Sequence, residues 1–250
     1  MTMRETTSLL PLADRDLWPA GLKRSWRDKL QVLAFGAIQW PWLLRSLSGG
    51  SRAAKAELCA RLDLPVNALP HLGSWKADTG FLALIVDHIE QQRPRHVVEL
   101  GAGASSLVIG RALEIFGQGR LTSFDQHADF VHATRDWLAD NCVTADLYVA
   151  PLRQAPEPWR GIWYDLDGHL PERIDLLVID GPPWTVHPCI RGAAETLFDR
   201  MPVGGTVLLD DGARPGERRV AARWRERWPN FRFDLVQAGT KGTLIGTRRA

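Results

Sequence analysis

Residues 97–106 read VVELGAGASS. An apolar run ends at Glu99; Gly101, Ala102 and Gly103 form a turn, and the hydroxyls of Ser105 and Ser106 follow. Glycines at that place let the backbone turn sharply into a helix and approach a ligand closely. A dinucleotide-binding turn reads G-x-G-x-x-G and seats a pyrophosphate on the helix start. Here Ser106 stands at the third glycine position, and Glu99 ahead of the turn would repel a pyrophosphate. A carboxylate there suits a ligand with an ammonium and a sulfonium group. Asp125 ends the next apolar run, RLTSFD, where an acid can accept hydrogen bonds from both hydroxyls of a ribose.

One acid for an amine and one for a ribose fit S-adenosylmethionine better than a nicotinamide dinucleotide. A nicotinamide-dependent oxidoreductase is therefore the remote alternative. Ser105 and Ser106 can offer hydroxyls and helix-start amides to the methionine carboxylate.

Three more acids stand at run ends: Asp180 after IDLLVI, and Asp210 and Asp211 after GGTVLL. Two readings of them stay open. In one, their oxygens hold a divalent metal such as Mg, which would lower the pKa of a bound hydroxyl. In the other, Asp180 and Asp211 act directly as base or orienting carboxylate, with His187 as a proton acceptor and Arg214 and Glu217 orienting Asp211. Gly181-Pro182-Pro183-Trp184 is either a rigid turn covering apolar surface or a wall of the acceptor site. Trp75, Trp163, Tyr164 and Trp184 are the candidates to line a pocket for a small molecule.

The elements that must position these residues are readable from about residue 78 onward. Asp78 is placed to cap a helix over TGFLALIVDHIEQQ, which Pro94 closes. Strands are expected over 95–100, 120–125, 145–150, 174–180 and 204–211, with helices over 104–117, 128–141, 188–201 and 215–228 between them. Such alternation implies a doubly wound, mostly parallel α/β sheet. FRFDLVQ (231–237) and GTLIGTR (242–248) leave no room for a crossover helix, so the last strand of the seven should run antiparallel. Residues 151–173 read as irregular.

Residues 1–75 read differently, as helical segments broken by Pro11, Pro19, Pro41, Pro65 and Pro70. They form an expected N-terminal helical unit, a cap or interface, ahead of a catalytic domain over 76–250. LQVLAFGAIQWPWLL (30–44) is too short for a membrane span of ~20 residues. It is expected to pack on the protein itself or to serve a homo-oligomer interface, with attachment to a membrane surface as the lesser alternative.

The chain has 250 residues, and its formal net charge of +2 gives no field that calls for nucleic acid. Cys59, Cys142 and Cys189 lack zinc-ligand spacing and suggest no disulfide framework, which fits a cytoplasmic protein with reduced thiols.

The combination resembles the class I S-adenosylmethionine-dependent methyltransferases, over roughly residues 76–250. Their first motif is an acid followed by G-x-G-x-G; here it is E-x-G-x-G-x-S. Trp75-x-Ala77-Asp78, ELGAGASS, Ala150-Pro151-Leu152, WYD, IDGPP and LLDD-x-x-R-x-x-E look like those of a group of bacterial small-molecule methyltransferases. The resemblance implies a Rossmann-like fold and Glu99, Gly101, Gly103 and Ser105 around the methionine moiety. It further implies Asp125 at the ribose and Ala150 to Leu152 near the adenine. The acceptor expected is a hydroxyl oxygen. A small amine, or a non-catalytic module keeping the fold, are the alternatives.

Overall fold

The structure, a computed structural model, describes residues 18, 19, 22–166 and 168–250. Pro11 and the rest of the first 17 positions lie outside the described residues.

Seven strands form one sheet: β1 (His96–Leu100), β2 (Arg120–Asp125), β3 (Asp146–Val149), β6 (Leu176–Ile179), β7 (Thr206–Leu209), β8 (Phe231–Val236) and β9 (Thr243–Arg248). Their spatial order is β3-β2-β1-β6-β7-β9-β8. All pairs are parallel except those of β9, which runs antiparallel to both β7 and β8. This is the expected doubly wound sheet, with its antiparallel strand placed by the terminal hairpin. Helices α3 (Thr79–Gln92), α4 (Ala104–Phe116), α5 (Ala128–Asp140) and α6 (Pro215–Arg227) cover it. Asp78 caps α3 as expected, its Oδ1 accepting from the Phe81 amide at 2.9 Å.

Side chains alternate across a strand, so each strand feeds two cores. Val98, Leu100, Leu177, Ile179, Val207 and Leu209 face one side, against α6 and the 3-10 helix Ile190–Arg200. Val97, Leu121, Leu176, Val178 and Leu208 face the other, against α3 and α4. By the same alternation Glu99 shares the side of Val97 and α4. Leu58, Cys59, Leu62, Leu69 and Leu72 join that second core, so α2 (Arg52–Arg61) and the loop after it pack with α3 and α4.

Two expectations need correction. Residues 151–173 are not irregular throughout: β4 (Leu152–Gln154) and β5 (Ile162–Tyr164) pair antiparallel as a separate small sheet. Three-residue strands are too short to show a period. The helix expected over 188–201 is present, as a 3-10 helix over Ile190–Arg200. Pro41 does not break the helix it lies in, because α1 runs from Trp26 to Ser46 through it. A proline there denies a hydrogen bond to the carbonyl four residues earlier; that residue, Ala37, is exposed, so water can satisfy it.

The helix α1 lies over the loop that follows β6. Arg24 donates to the Thr185 and Val186 carbonyls at 3.0 and 2.8 Å, and Gly36 lets the Trp184 ring come close. Its outer face exposes Trp26, Leu30, Leu33, Ala37, Trp40 and Leu44. No helix among the described residues is long and apolar enough to cross a membrane.

Candidate active site at the carboxyl ends of the strands

The strand order reverses between β1 and β6, and in an open parallel sheet the ligand crevice forms at such a reversal. Backbone hydrogen bonds continue past the strands and tie their carboxyl ends together. Gly101 N donates to Phe124 O, Ala150 N to Asp125 O, Asp180 N to Leu100 O, and Asp210 N to Ile179 O, all at 2.8–3.0 Å. The glycine turn, Asp125, Asp180 and Asp210 therefore share one edge. Gly101 has φ +100°, a conformation that favours glycine, and a Cβ on it would lie 2.6 Å from the Gly181 amide nitrogen. The two turns touch only because neither carries a side chain there.

Glu99 is fully buried. The register of β1 against β2 places Ser123 beside it, and the first turn of α4 brings Ser106 over it. Both hydroxyls donate to Glu99 Oε2, and Ser106 Oγ also accepts from the Gly103 amide at 3.0 Å. Glu99 Oε1 is buried without a partner. Burial pushes the Glu99 carboxyl up to about 6, with Ser105, Ser106 and Ser123 pulling it only partly back. Asp125 is buried too, and burial lifts it to about 7 against the His127 and Ala102 amides, with Glu99 adding repulsion. Among the described residues, no lysine or arginine forms an ion pair with either carboxylate. A buried acid with an unused oxygen and no counter-charge is costly, and a cationic ligand at the turn would relieve that cost. S-adenosylmethionine fits this donor and acceptor set: an amine for Glu99, ribose hydroxyls for Asp125 and open space at Gly103, where a Cβ would meet nothing within 4 Å.

Tyr164 lies at the seam between the turns. Its hydroxyl is buried without a partner and packs where a Gly181 side chain would project. Burial raises its pKa well above the usual value, with repulsion from Asp125, Asp180 and Glu99 adding to it. Trp163 stands edge-on to Tyr164 at 5.2 Å and is buried in the core beneath. Trp184 is buried under α1, whereas Trp75 is half-buried in the loop before α3. Ala150 and Leu152 are buried, and Pro151 between them is exposed. His187 lies toward α1: its Nε2 is 2.9 Å from Gln31 Oε1, and its Nδ1 accepts from the Cys189 amide at 3.2 Å. Burial lowers its pKa.

Asp180, Asp210 and Asp211 do converge, with one oxygen of each within 4.8 Å of the others. Each faces a cation of the chain itself. Lys241 Nζ is 2.8 Å from Asp210 Oδ2 and 3.4 Å from Asp211 Oδ1. Arg191 Nη1 is 3.0 Å from Asp211 Oδ2, and its Nη2 is 3.3 Å from Asp180 Oδ1. Arg214 Nη1 is 2.9 Å from Asp211 Oδ2, as the spacing from LLDD to Arg214 suggested. Burial alone would raise Asp211, but Arg214, Lys241 and Arg191 reverse that and hold it far below the usual carboxylate range. Asp180 goes the other way, raised well above its ordinary value by burial and by Asp210. Glu217 is lifted to about 7 by burial, partly offset by Arg191 and Arg214.

Sequence reasoning missed Ser123, Arg191 and Lys241. Ser123 was findable, since it occupies the position of β2 opposite Glu99. Arg191 and Lys241 carry no local signal; their partners lie 20 and 31 residues away. Two open grooves of about 560 and 530 Å³ lie elsewhere, at the amino ends of the strands, both lined in part by His96 and Arg173. Neither includes an acid of this site.

Residues 98–212 match the methyltransferase domain family. Solved structures with the same fold include a methyltransferase from Geobacter sulfurreducens. It is 19% identical, with 79% of this chain and 87% of that one covered at a TM-score of 0.51. The O-methyltransferase TomG from Streptomyces achromogenes, involved in tomaymycin synthesis and solved with SAM, is 17% identical over 80% of this chain and 89% of its own, with a TM-score of 0.53. An O-methyltransferase from Bacillus cereus, solved with SAH, is 13% identical over 87% of this chain and 100% of its own, with a TM-score of 0.55. No curated protein matches the chain. The fold is that of the class I S-adenosylmethionine-dependent methyltransferases, and the matched domain spans the glycine turn, Asp125, Asp180 and Asp211.

Proposed function

We propose that this protein transfers a methyl group from S-adenosylmethionine to a hydroxyl oxygen of a small molecule. The observation that carries the reading is the pair of buried acids at the glycine turn, Glu99 and Asp125, neither of which forms an ion pair with a lysine or arginine among the described residues. The family match over 98–212 supports it.

When bound, the cofactor supplies a methyl carbon already activated by its sulfonium, so the protein's task is to hold the acceptor in line. Glu99 Oε1 takes the ammonium group, and Asp125 takes the ribose hydroxyls. The Gly101–Gly103 turn and the start of α4, with Ser105 and Ser106, receive the methionine moiety, and Ala150 to Leu152 flank the adenine. Asp180 sits across the seam from Gly101 and takes the acceptor's proton. A carboxylate raised by burial is a stronger base than an ordinary one, which suits that role. Asp211 stays ionised and orients the groups around Asp180. Tyr164 and Trp184 wall the acceptor side.

Oxygen is favoured over nitrogen by the state of the backbone carbonyls. An amine-binding turn of the Pro-Pro-aromatic kind needs a free carbonyl for the nitrogen. Here the carbonyls of Asp180 and Pro182 each already give one lone pair to the Arg191 cation, which weakens the other as an acceptor for an amine. The outer face of α1 carries apolar side chains at alternating spacings of four and three, the seam pattern of paired helices. A second copy is the partner expected there, and a monomeric mass in solution would remove that expectation.

Calorimetry with S-adenosylhomocysteine tests the main reading. Saturable binding that weakens in Asp125→Ala is expected; absence of binding by folded protein would end it.

A further inference from the structure

The acid cluster Asp180, Asp210 and Asp211 has the make-up of a divalent-cation site, yet the residues present do not fit one. A hard cation needs carboxylate oxygens that are free to turn toward it. Here the ammonium of Lys241 lies between two of the three acids, at 2.8 and 3.4 Å, and is itself almost fully buried. It reaches that position because Thr240, its neighbour, is pinned to Asp78 through both its amide and its hydroxyl, at 2.7 and 2.9 Å. The Lys76 carbonyl takes another Nζ proton at 3.3 Å. Arg191 fills the opposite side with five bonds: two to Asp180, one each to the carbonyls of Pro182 and Asp210, and one to the Asp211 carboxylate. Arg214 adds a third positive charge on Asp211.

We propose that Lys241 and Arg191 hold the place of a divalent metal in this protein: they neutralise the three carboxylates and set the position of Asp180, so that no metal is bound there. The inference rests on reading this edge as a methyltransferase site, and it makes both cations positioning residues. Like charges repel strongly at contact distance in a buried site. A divalent ion entering the cluster must therefore displace the Lys241 ammonium from a pocket built around it. Mobility of a long surface lysine would allow that. Lys241, closed in by the Asp78 clamp and the Lys76 carbonyl, lacks it.

The test is a Mn2+ titration of the full chain followed by the electron paramagnetic resonance signal of the free ion, with S-adenosylhomocysteine calorimetry in EDTA alongside. Wild-type protein should leave the Mn2+ signal undiminished at millimolar ion. Lys241→Gln, which removes the charge and leaves the acids in excess, should gain a saturable Mn2+ site, and Lys241→Arg should not. Saturable binding by wild type that Asp180→Asn abolishes would overturn the proposal. So would a folded Lys241→Gln that still takes up no Mn2+, because the lysine would then not be what excludes the ion. If that variant does not fold, the wild-type titration decides. Loss of S-adenosylhomocysteine binding would count against the cofactor reading alone, since the Mn2+ signal reads the acid cluster independently.

Discussion

Two groups of buried carboxylates meet at the same edge of the sheet, and they are treated in opposite ways. Glu99 and Asp125 are held by serine hydroxyls and backbone amides, with no ion pair to a lysine or arginine among the described residues. Asp210 and Asp211 are surrounded by Lys241, Arg191 and Arg214. A buried charge that is paired within the chain has its desolvation cost offset by its partner; one left unpaired costs stability and is ready to be completed by a ligand. Shape alone does not separate the two groups, since both sit at strand ends beside glycine turns. Counter-charge does: in the proposed reading the first pair receives the cofactor, and the second is scaffold that aims Asp180.

Substitutions should separate the groups by which quantity they change. Arg191→Ala leaves Asp180, Asp211 and Glu217 without their shared cation and should cost about 3–5 kcal/mol of folding stability in urea denaturation. Glu99→Gln should change stability by less than about 1 kcal/mol, because it removes a buried charge that has no cationic partner among the described residues and one oxygen without a hydrogen bond. A large stability loss there would break the comparison.

Asp125→Ala belongs to the ligand side. It should weaken S-adenosylhomocysteine binding by about tenfold to a hundredfold, the worth of hydrogen bonds to a charged group, while the urea midpoint moves little. A smaller effect comes from pH. Glu99 and Asp125 titrate at about 6 and about 7, raised by burial, so S-adenosylhomocysteine should bind severalfold more tightly as pH rises through that window. Stability of the free protein should move the other way. Raised carboxyl groups hold protons that the unfolded chain has released, so stability falls from the ordinary carboxylate range up to about 7. Glu99→Gln should flatten the lower part of the binding curve. His187→Asn should have the least effect, under about 0.5 kcal/mol on stability and none on cofactor binding, since both ring nitrogens are engaged with Gln31 and Cys189.

The half of the site proposed for the cofactor was legible in the chain because it is local. Glu99, the glycines and Ser106 lie within one strand-turn-helix, and Asp125 ends the next strand. The acceptor half was only partly legible. Asp180, Asp211 and Arg214 stand at readable strand and helix ends, but whether the acids face a metal, a substrate or the chain's own cations depends on residues far along the sequence. Lys241 sits in AGTKG, a turn that looks like any hairpin loop, and only its docking on Asp78 drives it inward.

By itself the sequence determined the doubly wound sheet, its antiparallel last strand and the acids at the strand ends, because periodicity, capping and glycine turns act over a few residues. Tertiary structure alone decided which of those acids are balanced. It put Arg191 and Lys241 beside one set and left the other with hydroxyls, because electrostatic pairing depends on distance through space. It also paired the short strands β4 and β5, and it carried α1 through Pro41, where the carbonyl that loses its donor belongs to the exposed Ala37 and can turn to water.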